Sequence, residues 1–151
     1  MTAPAQQNGL QKSADLVFLA LTAWREARGQ SDLAVLAVCY SVLNRIAKPK
    51  WWGHDVQSVL FRRLQYSSLT DPHDRQLTTW PLADDPSWKR VLGVAALALS
   101  GDAQNPVPTA DSYYDVSIPA PYWATPERFV AAIGDLRFYN VDEEPKEVAR
   151  V

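Results

Sequence analysis

The sequence predicts a single, mainly helical α+β domain, and three features carry that prediction. Residues 15–28, 31–47 and 86–100 set apolar side chains at helical spacing among good helix formers, with no proline in their interiors. Residues 112–118 and 136–139 have the aromatic and β-branched content of strands, enough for a small β-hairpin or ribbon in the C-terminal third. The length of 151 residues suits one domain with a real core, and there is no internal repeat or linker long enough to divide it. The expected division is a flexible lead-in over 1–12, one folded domain over 13–141 and a charged, frayed tail over 142–151.

In chain order, Ser13 or Asp15 can cap the first helix, and Gly29 is placed to end it in a left-handed turn. Ser31 or Asp32 caps a second helix, whose apolar residues Leu33, Val35, Leu36, Ala37, Val38, Val42, Leu43 and Ile46 cover most of its circumference. That makes it central to the core. Pro49 stops it, and Asp55 can cap a short helix through Phe61. Residues 62–69 have no clear period and read as a loop or short extended piece, followed by a turn at Asp71-Pro72-His73-Asp74. Asp85-Pro86 is a cap and first-turn proline for the helix ended by Gly101, with Trp88, Val91, Leu92, Ala95, Ala96 and Leu99 inward. Thr125-Pro126-Glu127 can start a last short helix through Ile133, with Gly134 as its stop.

Composition narrows the function. A net charge of -2 and a pI near 5.6 give no support for nucleic-acid or lipid-surface binding. No apolar run is long enough to span a bilayer, and the polar, uncharged first residues lack the basic and apolar regions of a secretory signal. Cytoplasmic synthesis without a signal peptide is therefore expected. Cys39 is the one cysteine and sits mid-helix among Val38, Tyr40 and Val42, which suits an inert buried thiol rather than a nucleophile. With two histidines and no cysteine partner, a metal site is not expected, nor any other cofactor. Six tryptophans, six tyrosines and 11 prolines suit a groove of aromatic rings on shaped loops, besides core packing.

The motif Trp24-Arg25-Glu26-Ala27-Arg28-Gly29 holds the most chemistry. Glu26 interrupts an apolar run and falls about two turns after Leu19, which aims a carboxylate at the core side of its helix. Burial and the negative end of the helix dipole both raise a carboxyl pKa, giving a group that can donate a proton near neutral pH. Arg25 and Arg28 project in different directions, so at most one is expected to reach Glu26. A plain helix-end ion pair with that arginine fits the spacing equally well. An acid beside polar and aromatic loops suits glycosidic cleavage through an oxocarbenium-like state. Asp71, Asp74, Asp111 and Asp115 are the candidates for the second carboxylate that hydrolysis needs, and each fits a turn or solvated role as well. Asn44, on the stripe of Leu33, Ala37 and Tyr40, suits satisfaction of nearby carbonyls as much as ligand contact.

Five colinear pieces resemble the SleB-like cell-wall hydrolases, a family of spore-cortex lytic enzymes and phage lysins acting on peptidoglycan. They are the Trp24–Gly29 motif, Val42-Leu43-Asn44-Arg45-Ile46, Gln65-Tyr66-Ser67, Tyr113-Tyr114 with Pro121-Tyr122-Trp123-Ala124, and Ile133-Gly134 with Arg137-Phe138-Tyr139. The resemblance covers about residues 15–140 and implies a lysozyme-like fold. It also implies a lytic transglycosylase in which Glu26 is the general acid and then the base, cleaving between N-acetylmuramic acid and N-acetylglucosamine. Gln65, Tyr66, Ser67, Tyr113, Tyr114 and Trp123 would line the substrate groove. Members often carry a histidine beside the tyrosines and another between the Ile-Gly and Phe-Tyr pairs. Here Ser112 and Leu136 stand near those places, so no role of those histidines transfers.

The expected protein is thus a monomeric peptidoglycan lysin, of phage endolysin or virion-borne type. A two-carboxylate muramidase and a non-catalytic wall-binding or virion domain are the alternatives. A cysteine amidase is disfavoured by the position of Cys39.

Overall fold

The structure is a computed structural model that describes residues 8–63 and 65–144; Leu64, the first seven residues of the expected lead-in and residues 145–151 of the expected tail lie outside them. Five helices, α1 (Gly9–Ala27), α2 (Asp32–Ala47), α3 (Val56–Leu60), α4 (Ser67–Thr70) and α5 (Pro86–Ser100), precede three strands, β1 (Ser112–Asp115), β2 (Phe129–Ile133) and β3 (Leu136–Tyr139). Single 3-10 turns lie at Arg75–Thr78 and Pro126–Arg128.

Helix α1 starts earlier than expected, because Asn8 accepts a hydrogen bond from the Gln11 backbone N–H (2.7 Å) and caps it ahead of Ser13. Residues 9–12 of the expected lead-in are therefore helical. Its C-terminal half is buried almost all round, from Leu19 to Arg25 and again at Ala27, and packs on α5, α2 and α3. Gly29 does not turn left-handed: the cap residue Arg28 stays right-handed, and the Gln30 N–H closes the turn on the Ala27 carbonyl.

Helix α2 is capped by Ser31 and lies in the core as expected, apart from exposed Leu33. Helix α3 carries a capping box between Asp55 and Ser58. Helix α5 begins at the Asp85 cap and ends at Gly101 with φ +75°. The Gly101 and Asp102 N–H groups close that end on the Ala98 and Leu97 carbonyls. Its buried stripe is rotated from the expected one. Val91, Ala95 and Ala98 are buried, and Trp88, Leu92 and Val94 pack partly against the core, while Ala96 and Leu99 face solvent.

Two local readings are corrected. Residues 67–70 of the segment expected to be loop form the single turn α4, and the helix expected over 125–133 is a 3-10 turn followed by strand β2. Phe129, Val130 and Ile133 favour the strand once β3 is available to pair with them. The hairpin thereby becomes a three-stranded antiparallel sheet of order β1-β3-β2. Gly134, at φ +55°, turns β2 into β3 where a Cβ would meet Gln30 Oε1 at 2.7 Å. The central strand buries Leu136 and Phe138 in the core, while Tyr139 on its other face is covered by Tyr114, Trp123 and Phe129.

Residues 142–144 of the expected tail are anchored, together with Val141 before them. The buried Asp111 carboxylate accepts the backbone N–H groups of Val141 and Asp142, both at 2.9 Å. Lys50, Arg128 and Arg62 pair with Asp142, Glu143 and Glu144 respectively. No helix among the described residues is long and apolar enough to cross a membrane.

Candidate active site

The last turn of α1, the stretch from Gln65 to Gln76, strand β1 and the loop before β2 enclose a groove of about 580 Å³. Glu26 lines it, at the point where α1 breaks the apolar run. Its Oε1 accepts the Tyr113 hydroxyl and its Oε2 accepts the Ser68 hydroxyl at 3.1 Å, so both oxygens are fixed in direction. Withdrawal from water pushes the Glu26 pKa from its ordinary 4.5 up to about 7, against the two hydroxyl donors, which favour the charged form. Asp74, in the same groove, adds a smaller upward push, and Arg45 a smaller downward one.

Neither neighbouring arginine pairs with Glu26. Arg25 donates from Nε to the Thr79 carbonyl (3.1 Å) and from Nη1 to the Ser68 carbonyl (2.9 Å), with its guanidinium over the Trp80 ring. Arg28 lies over Trp24 at 4.1 Å and donates to Gln76 Oε1 (2.8 Å). The plain ion-pair reading of Glu26 therefore has no partner among the described residues, and the carboxyl is left to two neutral hydroxyls.

All six residues of the expected groove line it, in different ways. Tyr66 is buried, with its hydroxyl 3.3 Å from Ser41 Oγ, so it belongs to the wall. Gln65 Oε1 accepts from Arg45 Nη1 at 2.8 Å, and Ser67 donates to Asp74 Oδ2 at 2.7 Å. Tyr113 donates to Glu26. Tyr114 and Trp123 are half-buried and pack edge-on at 6.2 Å, each also against Tyr139, which makes them the groove's aromatic surface.

Two residues of the site escape sequence reasoning. Ser68 lies in the aperiodic stretch, and only the single turn α4 carries its hydroxyl under Glu26. Arg45 is buried, donates to the Asp111 carbonyl (2.8 Å) and to Gln65, and lies within 5.9 Å of the Trp51, Trp52 and Tyr66 rings. Its polar place on an otherwise apolar helix was the available signal.

Among the second-acid candidates, Asp111 and Asp115 also line the groove, but Asp111 is taken up by three donors and Asp115 accepts the Ser117 N–H. Asp71 does not line the groove and accepts the His73 N–H. Cys39 is fully buried, and burial pushes its thiol up to about 12, which removes it as a nucleophile. Among the described residues no three His, Cys, Asp or Glu side chains gather as a metal-binding group would require.

The model of the cell wall hydrolase family matches residues 29–139, beginning just after Glu26 and spanning the loops and sheet that build the groove. No curated protein matches the chain. The catalytic domain of the germination-specific lytic transglycosylase SleB from Bacillus anthracis shares its fold, with a TM-score of 0.67 at 20% identity, covering 91% of this chain and 99% of that one. With the lysozyme-like architecture and the greater part of the sequence accounted for in this way, the chain belongs to the cell wall hydrolase family, enzymes that degrade peptidoglycan.

Proposed function

We propose that this chain cleaves the glycan strand of peptidoglycan at the N-acetylmuramic acid–N-acetylglucosamine bond as a lytic transglycosylase, with Glu26 as its single catalytic residue. The observation that carries the reading is a carboxyl lining a groove with both oxygens oriented by hydroxyl donors, in a setting whose withdrawal from water pushes its pKa up to about 7. In its protonated form Glu26 gives a proton to the glycosidic oxygen, the C1–O bond breaks, and positive charge develops on the sugar ring. The resulting carboxylate takes the proton of the same sugar's C6 hydroxyl, whose oxygen bonds to C1 and closes a 1,6-anhydro ring. Glu26 ends the cycle protonated, so one carboxyl serves both steps. Tyr114 and Trp123 offer faces for sugar rings, and Gln65 and Ser67 offer polar atoms for acetamide groups.

A hydrolytic muramidase is the second reading, favoured by Asp74 in the same groove. Its carboxylate already accepts from Ser67 Oγ and the Gln76 N–H, which favours a structural role. Digestion of purified sacculi followed by mass spectrometry separates the readings: 1,6-anhydro ends support the first, reducing ends the second. Binding to sacculi without any cleavage would leave a wall-binding domain, and full activity in Glu26→Gln would remove Glu26 from its role.

The biological setting we propose is phage-induced lysis, supported by the resemblance to phage lysins alone. Cells producing this chain together with a membrane-permeabilising holin would lyse, and cells producing either alone would not. Lysis by this chain alone would contradict that setting.

A further inference from the structure

One wall of the groove, residues 68–79, is held at both ends by a single side chain. Arg25 Nη1 donates to the Ser68 carbonyl at 2.9 Å where the wall begins, and Arg25 Nε donates to the Thr79 carbonyl at 3.1 Å where it ends. Between these points the wall brings Ser68, Asp74 and Gln76 to the groove. Arg28 meets the wall only in its middle, at Gln76 Oε1 (2.8 Å). Helix α4, which carries Ser68, is a single turn without a side-chain cap, so its own structure does not fix where that residue lies.

Arg25 is 6% exposed, and its Nη2 is buried with no hydrogen-bond partner among the described residues. The largely exposed Trp80 ring lies over the guanidinium at 4.8 Å. Burial pushes the guanidinium below its ordinary pKa, and Asp74 opposes that shift. A buried charge with an idle donor is costly, and an apolar side chain of similar volume fills such a place at less cost. What the guanidinium alone provides is a rigid fork that fixes two carbonyls at once. One of those carbonyls belongs to Ser68, and the hydroxyl of that same residue donates to Glu26 Oε2 at 3.1 Å.

We propose that Arg25 is a positioning residue for the cleavage reaction, which by fixing the Ser68 backbone keeps the Ser68 hydroxyl bonded to the Glu26 carboxyl. The inference rests on the glycosidase reading of the groove. The polar and titratable groups facing Glu26 are Tyr113 of β1, Tyr66 and Ser68 at the start of α4, Asp74 of the wall and Arg45 of α2. Of the two that the wall carries, Ser68 favours the carboxylate and Asp74 opposes it more weakly, so loss of the Ser68 bond decides the sign. A loosened Ser68 therefore leaves Glu26 holding its proton to higher pH and less well aimed.

The test follows the alkaline limb of the pH–kcat/KM profile on soluble glycan strands, together with carbon-13 titration of Glu26. Ser68→Ala is expected to move both up by about half a pH unit. Arg25→Met keeps the volume, so Glu26 stays withdrawn from water. It is expected to give the same upward shift, with kcat about tenfold lower and KM nearly constant, and the combination with Ser68→Ala to shift no further. Arg25→Lys keeps the charge without the fork and is expected to move the limb in the same direction. Circular dichroism shows which variants fold. A folded Arg25 variant whose limb stays at the wild-type pH, a shift that adds to that of Ser68→Ala, or failure of both Arg25 variants to fold would overturn the inference and leave the glycosidase reading intact. Absence of cleavage by the wild-type chain would overturn that reading, and the inference with it.

Discussion

Replacing Glu26 by glutamine will make the protein more stable in mild alkali while abolishing cleavage. The Glu26 carboxyl titrates at about 7 in the folded chain against an ordinary 4.5, so between those values the folded state binds more protons than the unfolded one. Stability therefore falls as pH rises through that window; the cost is absent below it and complete above it. At about 1.4 kcal/mol per pH unit the full cost is about 3 kcal/mol. Glutamine keeps an oxygen for one of the Tyr113 and Ser68 hydroxyls, turns an N–H donor toward the oxygen of the other, and carries no charge at any pH. Thermal unfolding at pH 8 will then place Glu26→Gln about 6–12 °C above wild type, a difference that closes near pH 4.5. Equal melting temperatures at pH 8, or a less stable variant, would show that the carboxylate supports the fold and would refute the argument from burial.

Other perturbations follow from the same geometry. Tyr113→Phe removes a donor that favours the carboxylate, so the alkaline limb of the pH–kcat/KM profile will move up by about one pH unit; a downward shift would contradict the assigned bond. Arg45→Met strands the Asp111 carbonyl and Gln65 and will lower stability by about 2–3 kcal/mol in urea titrations, with an unchanged midpoint contradicting it. Trp123→Ala will raise KM for glycan strands about tenfold with a smaller effect on kcat, and unaltered KM would remove that ring from the binding surface.

The features legible in the sequence were those with local causes. Periodicity locates α2 and α5, the caps at Asp55 and Asp85 are legible, Ser31 is one of two candidates for the cap of α2, and Glu26 stands out because an acid breaks an apolar helix. What stayed hidden depended on tertiary partners. Ser68 reaches Glu26 only because α4 folds under α1, and residues 62–69 carry no period that reports it. Strand β2 follows a capping signal that reads as a helix, and only pairing with β3 overrides it. The two arginines flanking Glu26 were legible as neighbours, but Thr79, Ser68 and Gln76, which draw them away, are distant in the chain. Asp111 looked like a turn residue, and its work as the clamp on Val141 and Asp142 has no sequence signal.

The account depends on one carboxyl keeping its proton near neutral pH inside the groove. Carbon-13 NMR titration of glutamate-labelled protein measures that directly. One side-chain carboxyl is predicted to titrate at about 7 and to vanish from the Glu26→Gln spectrum; a spectrum in which every glutamate titrates below about 5 would contradict it.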